Sequence, residues 1–198
     1  MNALAVAPGV FVAVGAGPVE PPRTAGPGAV RRWRAAERAA ARAVLRRLLA
    51  AVAGPDAARA DLGTRVRGQP YLIGETVTVS LSHSGGLVAA AVHTGGGMVG
   101  VDVQAPYPAG DRLARRCCPA LLRLPPADRA EELAWVWTVQ EACAKATGTG
   151  LAARPWTIPV PPGATAGAWR GLRWRTLRGH CRLPLSCAYA EPNRKGSP

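Results

Sequence analysis

Acidic residues are scarce in this chain. Its 198 residues carry 12 Asp and Glu against 25 Lys and Arg, a formal net charge of +13. A field of that sign favours anionic partners: nucleotides, nucleic acid, acidic lipids or acidic proteins. A GC-rich coding bias inflates Ala, Arg, Gly and Pro together and accounts for much of the arginine. It does not place carboxylates inside apolar segments. Aromatics are few, at 5%. With no recognisable nucleic-acid motif, that argues against a nucleic-acid-binding domain. The five cysteines (Cys117, Cys118, Cys143, Cys181, Cys187) are odd in number and form no CxxC pair. Neither a disulfide framework nor a zinc knuckle is indicated, and a reducing cytoplasm fits. Residues 1–17 are apolar but lack a basic n-region and are broken by Pro8 and Gly9. They are too short for a membrane span and lead into a first strand near Val10–Val14. No G-x-S-x-G elbow is present, so Ser82, His83 and Asp102 do not read as a hydrolase triad.

What remains is a globular composition, 48% hydrophobic and 19% charged, long enough for one large domain or two small packed halves. Residues 18–28 form a Pro/Gly-rich connection. A helix is expected over Val30–Ala53, with Trp33, Ala36, Ala40, Val44, Leu48 and Val52 as its apolar stripe. Arg34, Arg38, Arg42 and Arg46 form a second stripe. It reads by default as a solvated face, and alternatively as an anion-facing edge. Residues 54–68 read as loop and Val77–Leu81 as a strand, with residues 82–86 turning back into a second strand, Leu87–Val92. A glycine break at 94–97 divides the chain. Then follow a strand at Val99–Val103, a short helix over Asp111–Cys118 and a long one over Ala127–Thr147. Strands are expected over Trp156–Pro159, Trp169–Leu177 and Cys181–Ala190, and a frayed tail from 191 to 198. The pattern predicts a mixed α/β (α+β) fold in two halves, 1–96 and 97–190, each a long helix packed on a small sheet.

The chemistry lies in two phrases. In Val99-Gly-Val-Asp-Val-Gln104 the period of two puts the valines on one face and Gly100, Asp102 and Gln104 on the other. A carboxylate among valines is costly unless paired, hydrogen-bonded or bound to a cation; a structural cap is the alternative. In Trp137-Thr-Val-Gln-Glu141-Ala-Cys-Ala-Lys145, Glu141 and Lys145 lie one helical turn apart. They read either as an intrahelical ion pair worth a few tenths of a kcal/mol, or as a metal ligand and a phosphate contact with Trp137 beneath. Cys143 reads as a small buried thiol. His83 is a turn residue or a phosphate grip. Gly148-Thr-Gly150 is too short for a phosphate loop and reads as the helix exit.

These phrases resemble the 4′-phosphopantetheinyl transferase superfamily. The strand resembles its Gly-Val/Ile-Asp-Val/Ile-Glu element. The helix with Gly148, Gly150 and Leu151 resembles its Trp-Ser/Thr-x-Lys-Glu-Ala/Ser-x-x-Lys-x-x-Gly-x-Gly-Leu element. Upstream, Gly68-Gln-Pro70 resembles a Gly-Lys-Pro element, and Ser82-His-Ser-Gly85 a Ser-His-Ser-Gly element. Length and order look like the single-chain, surfactin-synthetase-activating branch. The resemblance implies a duplicated pseudo-twofold fold and a monomer, with coenzyme A at the junction of the halves. It implies Mg²⁺-dependent transfer of 4′-phosphopantetheine to a serine of an acyl or peptidyl carrier protein, releasing 3′,5′-ADP. Carriers of polyketide or nonribosomal peptide synthases are the expected partners, and neither nucleic acid nor membrane is expected to bind. Carried over by position, Asp102 and Glu141 bind the metal with Gln104 beside them. Lys145 meets the phosphates, Arg38, Ser82 and His83 meet the nucleotide end, and Glu141 serves as base. Glutamines at positions 104, 140 and 69 depart from the pattern, with Arg31, Arg38 or Arg42 as substitute cations. They lower the expected coenzyme A affinity or shift the metal requirement. The alternative they raise is a non-catalytic homologue that binds coenzyme A or a carrier without turnover.

Overall fold

The computed structural model describes residues 2–190, apart from Arg23, Ala25, Ala109 and the side chains of Leu151 and Ala153. The expected tail at 191–198 lies outside the described residues. In chain order the elements are β1 (Leu4–Ala7), β2 (Val10–Ala16), α1 (Pro27–Val52), α2 (Pro55–Arg59), β3 (Leu62–Thr64), β4 (Pro70–Leu72), β5 (Thr78–Ser84) and β6 (Leu87–His93). There follow β7 (Val99–Val103), α3 (Asp111–Cys117), α4 (Pro126–Ala146), β8 (Ala166–Trp169), β9 (Leu172–Thr176) and β10 (Leu185–Tyr189).

Two four-stranded antiparallel sheets form, ordered β1-β2-β6-β5 and β7-β10-β9-β8. The same local order recurs: strand, helix, hairpin, with the hairpin's last strand pairing the first strand. It is β2-β6-β5 around α1 and β7-β10-β9 around α4. The sheets stack face to face between the two long helices. Val10, Val12, Ala89 and Ala91 meet Val99, Val101, Val103 and Cys187 in the inner layer. Val88, Ala90 and Val92 turn outward to Val44, Leu45, Leu48 and Leu49 of α1. Leu172, Trp174 and Ala188 face Val136, Val139 and Ala142 of α4. Burial on both faces explains why β6 and β7 read as nearly continuous apolar runs. No helix among the described residues is long and apolar enough to cross a membrane.

The free edges of the sheets meet through side chains rather than a backbone ladder. Oγ of Ser80 accepts the Val101 N–H at 3.1 Å, Oγ of Ser82 that of Val103 at 3.3 Å, and Oγ of Ser84 that of Ala105 at 3.0 Å. Thr78 extends the row by donating to the Gly97 carbonyl. Alternate hydroxyls on β5 thus satisfy β7 donors that would otherwise be buried without partners, each at a net gain of about 1 kcal/mol.

The structure corrects several expectations. α1 begins at Pro27, where proline's fixed φ and missing N–H suit the first helical position. Its buried stripe is Glu37, Ala41, Val44, Leu45, Leu48 and Leu49; Ala36 is exposed and Ala40 half-buried. In so alanine-rich a helix, apolar spacing recurs on more than one face. His83 lies in β5, and the turn is Gly85-Gly86, both at positive φ. Pro155–Thr157 is a 3-10 turn instead of a strand. Residues 169–177 contain a hairpin bend at Arg170-Gly171, with φ of 47° and 81°, the signature of a two-residue primed turn. β10 is shorter than Cys181–Ala190. β1 and the small β3-β4 hairpin lie where no strand is expected from the pattern.

Gly100 sets the distance between β7 and α4. A Cβ there would sit 2.0 Å from the Ala142 carbonyl oxygen and 2.6 Å from the Ala146 nitrogen. Gly100→Ala should therefore cost about 3 kcal/mol in urea unfolding, the upper end of overpacking penalties; an unchanged midpoint would contradict this packing. Burial also pushes the thiols of Cys117, Cys143 and Cys187 up, to about 11, 12 and 12. Iodoacetamide at pH 8 should label only Cys118 and Cys181, which are half-buried, until urea exposes all five.

Candidate active site

Asp102 points from β7 away from the inner valines, toward the last turns of α4. Lys145 crosses to it: Nζ donates to Oδ1 of Asp102 at 2.6 Å, to the Val101 carbonyl at 3.1 Å and to the Leu81 carbonyl at 3.4 Å. Ser82 donates its hydroxyl to the same Oδ1 at 2.7 Å. The intrahelical pair with Glu141, one of the two readings of that spacing, is not formed. Asp102 lies deeper and gives the ammonium a partner in a dry setting, with two carbonyls within reach.

Glu141 is left with a buried Oε1 that has no hydrogen-bond partner. Burial raises its pKa above the ordinary 4.5, the nearby Asp102 carboxylate raises it further, and Lys145 opposes both. Two carboxylates therefore face a shared space with one ammonium between them. That space is a cleft of about 540 Å³, floored by Asp102, Gln104, Trp137, Glu141 and Lys145. Arg38 and Arg42 of α1 and His83 of β5 also line it. The arginine stripe is thus in part an anion-facing edge. Its fourth member, Arg46, instead donates to the Ala58 carbonyl at 2.7 Å and ties down α2. Arg31 is outside the lining.

A second cleft of about 420 Å³ shares Glu141 and Lys145 and runs over Gly68, Gln69, Pro70 and Gly148. Gly148, at φ 66°, ends α4 as the sequence suggests. Its N–H bonds the Lys145 carbonyl at 3.0 Å, and Thr149 N–H bonds the Ala144 carbonyl at 3.2 Å. This paired C-terminal motif requires a left-handed residue. Gln69 sits against that exit and donates to the Lys145 carbonyl at 3.4 Å. Gln140 lies elsewhere: it is fully buried and donates to the carbonyls of Cys117 and Ile158, each at 2.9 Å. Its side chain braces α4 against the segments packed on it, so this departure from the family pattern lies in the core and not in the cleft.

With this geometry in view, the comparison with known families bears on residues 98–170. They match the 4′-phosphopantetheinyl transferase superfamily. The match covers β7 and α4, and with them Asp102, Gln104, Glu141 and Lys145. It supports phosphopantetheine transfer, in a superfamily that uses coenzyme A and acts on carrier proteins. Arg38, Ser82 and His83 lie outside the matched residues. No curated protein matches the chain.

The residues present fit a divalent cation of the Mg²⁺ kind. The donors are hard oxygens: the orphaned Glu141 Oε1, the Asp102 carboxylate and the Gln104 amide, whose Nε2 is taken up by the Ala105 carbonyl at 2.9 Å. Mg²⁺ commonly takes one or two carboxylates and completes its shell with phosphate oxygens and water. No cluster of three or more His, Cys, Asp or Glu occurs among the described residues, so ligand oxygens would be needed.

Several participants escape the sequence motifs: the Leu81 carbonyl, the Thr78 and Ser80 hydroxyls on β5, and Glu37 behind His83. One signal was available for Lys145. It is one of only two lysines, with Lys195, in a chain of 23 arginines.

Because its pKa is raised on folding, ionised Glu141 destabilises the metal-free protein. The penalty is absent below the unfolded value near 4.5 and grows as pH rises toward the folded one. Glu141→Gln should raise the melting temperature at pH 7.5 and leave it unchanged at pH 4. The gain should be about 2–4 °C per kcal/mol relieved. The same variant should lose any stabilisation by Mg²⁺ with coenzyme A, which calorimetric melts would register.

Proposed function

We propose that the protein transfers the 4′-phosphopantetheine group of coenzyme A to a serine of an apo carrier protein, with Mg²⁺, releasing 3′,5′-ADP. One observation carries the reading: half-buried Glu141, whose buried Oε1 has no hydrogen-bond partner, beside the Lys145–Asp102 pair on the floor of an arginine-lined cleft. Such a floor is poorly satisfied alone and well satisfied by a cation and a diphosphate. The recurring strand order supports treating 1–96 and 97–190 as two halves of a duplicated, pseudo-twofold fold of the single-chain branch, with coenzyme A at their junction.

In this reading Arg38, Arg42 and His83 hold the anionic nucleotide end, and Lys145 exchanges its backbone-carbonyl contacts for the diphosphate when coenzyme A binds. Ser82 keeps Asp102 oriented by its hydrogen bond. Glu141, directly or through a water, takes the proton from the incoming serine hydroxyl. The serine oxygen forms the new bond to phosphorus, and the bond to the departing 3′,5′-ADP breaks. Bound Mg²⁺, held by Asp102 and Glu141 with Gln104 beside them, would supply charge neutralisation on the diphosphate. The basic surface suits an acidic carrier. Carriers of polyketide or nonribosomal peptide synthases remain the proposed partners, the protein acting as a cytoplasmic monomer.

Intact mass spectrometry of a panel of apo carriers, incubated with enzyme, coenzyme A and Mg²⁺, tests the assignment. The expected result is a phosphopantetheine mass shift on at least one carrier, equimolar 3′,5′-ADP, and a loss of about 10³-fold or more with Asp102→Ala or Glu141→Ala. Binding of coenzyme A without 3′,5′-ADP would establish the non-catalytic alternative. Full activity in both variants would overturn the site.

A further inference from the structure

Glu37 stands apart on α1. It lies among arginines, with Arg34 and Arg38 as near neighbours, yet is only 3% exposed. Its Oε2 is 3.2 Å from Nδ1 of His83 on β5. The imidazole is its only ion-pair partner among the described residues. The His83 side chain is 43% exposed. It lines both the 540 Å³ cleft and a neighbouring one of about 470 Å³, walled by Glu20, Trp33, Arg34 and Arg38. A buried carboxylate backing an exposed histidine is an orienting device: the bond at one ring nitrogen determines what the other can do.

We propose that Glu37 is a positioning residue for ligand binding. In the complex it draws the Nδ1–H of His83 from the present 3.2 Å ion-pair contact into a hydrogen bond, fixes the ring, and leaves Nε2–H as a donor to an anionic oxygen of the ligand. This rests on reading the cleft as the coenzyme A site. A neutral imidazole carries one N–H. With a carboxylate at Nδ1 and a phosphate oxygen at Nε2, both nitrogens must donate, so the ring in the complex is the imidazolium. Glu37 therefore does more than fill space. Without it, an exposed ring is free to rotate and to offer the cleft a lone pair instead of a proton. Other charges face this pair. Glu20, Arg34 and Arg38 lie on the helix side, and Arg42, Asp102, Glu141 and Lys145 across the cleft. The arginines supply fixed positive charge but no orientation to the ring.

The test is a double-mutant cycle read by coenzyme A titration calorimetry and transfer kinetics. Glu37→Gln, nearly isosteric, keeps an oxygen acceptor but removes the charge, and should raise Kd and KM for coenzyme A about 10-fold, the difference between a charged and a neutral hydrogen bond, with kcat within about two-fold. In a His83→Ala background the same change should add nothing. Ring-nitrogen NMR of the coenzyme A complex should show both His83 nitrogens protonated in the wild type and not in Glu37→Gln. If Glu37→Gln does not fold, Glu37→Asp, which withdraws the carboxylate, should give the same pattern. Equal affinity in wild type and variant, or an equal loss with and without His83, overturns the inference while leaving the coenzyme A reading standing. A wild type that binds no coenzyme A overturns both.

Discussion

The ammonium of Lys145 reaches from the last turn of α4 to Asp102 on β7 and to two backbone carbonyls, one of them Leu81 on β5. The two strands belong to different sheets and the lysine to the helix packed on one of them, so a single cation ties together the parts that form the cleft. Such a pair is not kept for stability alone. Desolvating two charges costs several kcal/mol per ion, and their attraction offsets that only with good geometry and further hydrogen bonds. Here Ser82 supplies another bond to Oδ1 and the carbonyls satisfy the remaining ammonium donors. The arrangement uses up the helix's one lysine on Asp102. Glu141 is thereby left with a buried oxygen and no hydrogen-bond partner, the feature on which the proposed cation site rests.

Close approach of the backbone makes this reach possible. Gly100 lets β7 lie against α4, and the row Thr78, Ser80, Ser82, Ser84 lets β5 lie against β7 without a regular ladder. The inner valines hold both sheets edge-aligned from below. The same strand thus contributes its valine face to the core and its Gly-Asp face to the site, so fold and function are written on alternate residues. The hydroxyl of Ser82 serves both: it accepts from the Val103 N–H and donates to Asp102. Across the cleft, α1 completes the wall with arginines on its exposed face. Its one buried acid, Glu37, is turned to His83.

Elements with a clean period were legible in the sequence. The faces of Val99–Val103 follow from alternation alone, and the exit of α4 at Gly148 from the residue that a left-handed position requires. The stripe of α1 was drawn in part: Val44 and Leu48 are buried and Ala40 and Val52 pack on the same core, but Ala36 is exposed and Ala41, Leu45 and Leu49 were missed, because alanine repeats at helical spacing on several faces. β1 and the β3-β4 hairpin were missed because their runs are short and gain stability from tertiary pairing. In the site, Asp102, Glu141 and Lys145 were visible as residues, but their pairing was not. Sequence spacing favours Glu141 with Lys145, whereas burial hands the lysine to Asp102. Gln140 shows the same limit. Its neighbour in sequence is a site residue, yet one step along a helix turns a side chain by about 100°, here into the core.

The central claim is that Asp102 and Glu141 form a cation site which the diphosphate of coenzyme A completes. Anomalous diffraction from crystals grown with Mn²⁺ and coenzyme A tests it most directly. The account predicts an anomalous peak within coordination distance of Glu141 Oε1 and of the Asp102 carboxylate, with diphosphate oxygens in the same shell. A peak placed elsewhere, or coenzyme A bound with Glu141 still unpartnered, would contradict it.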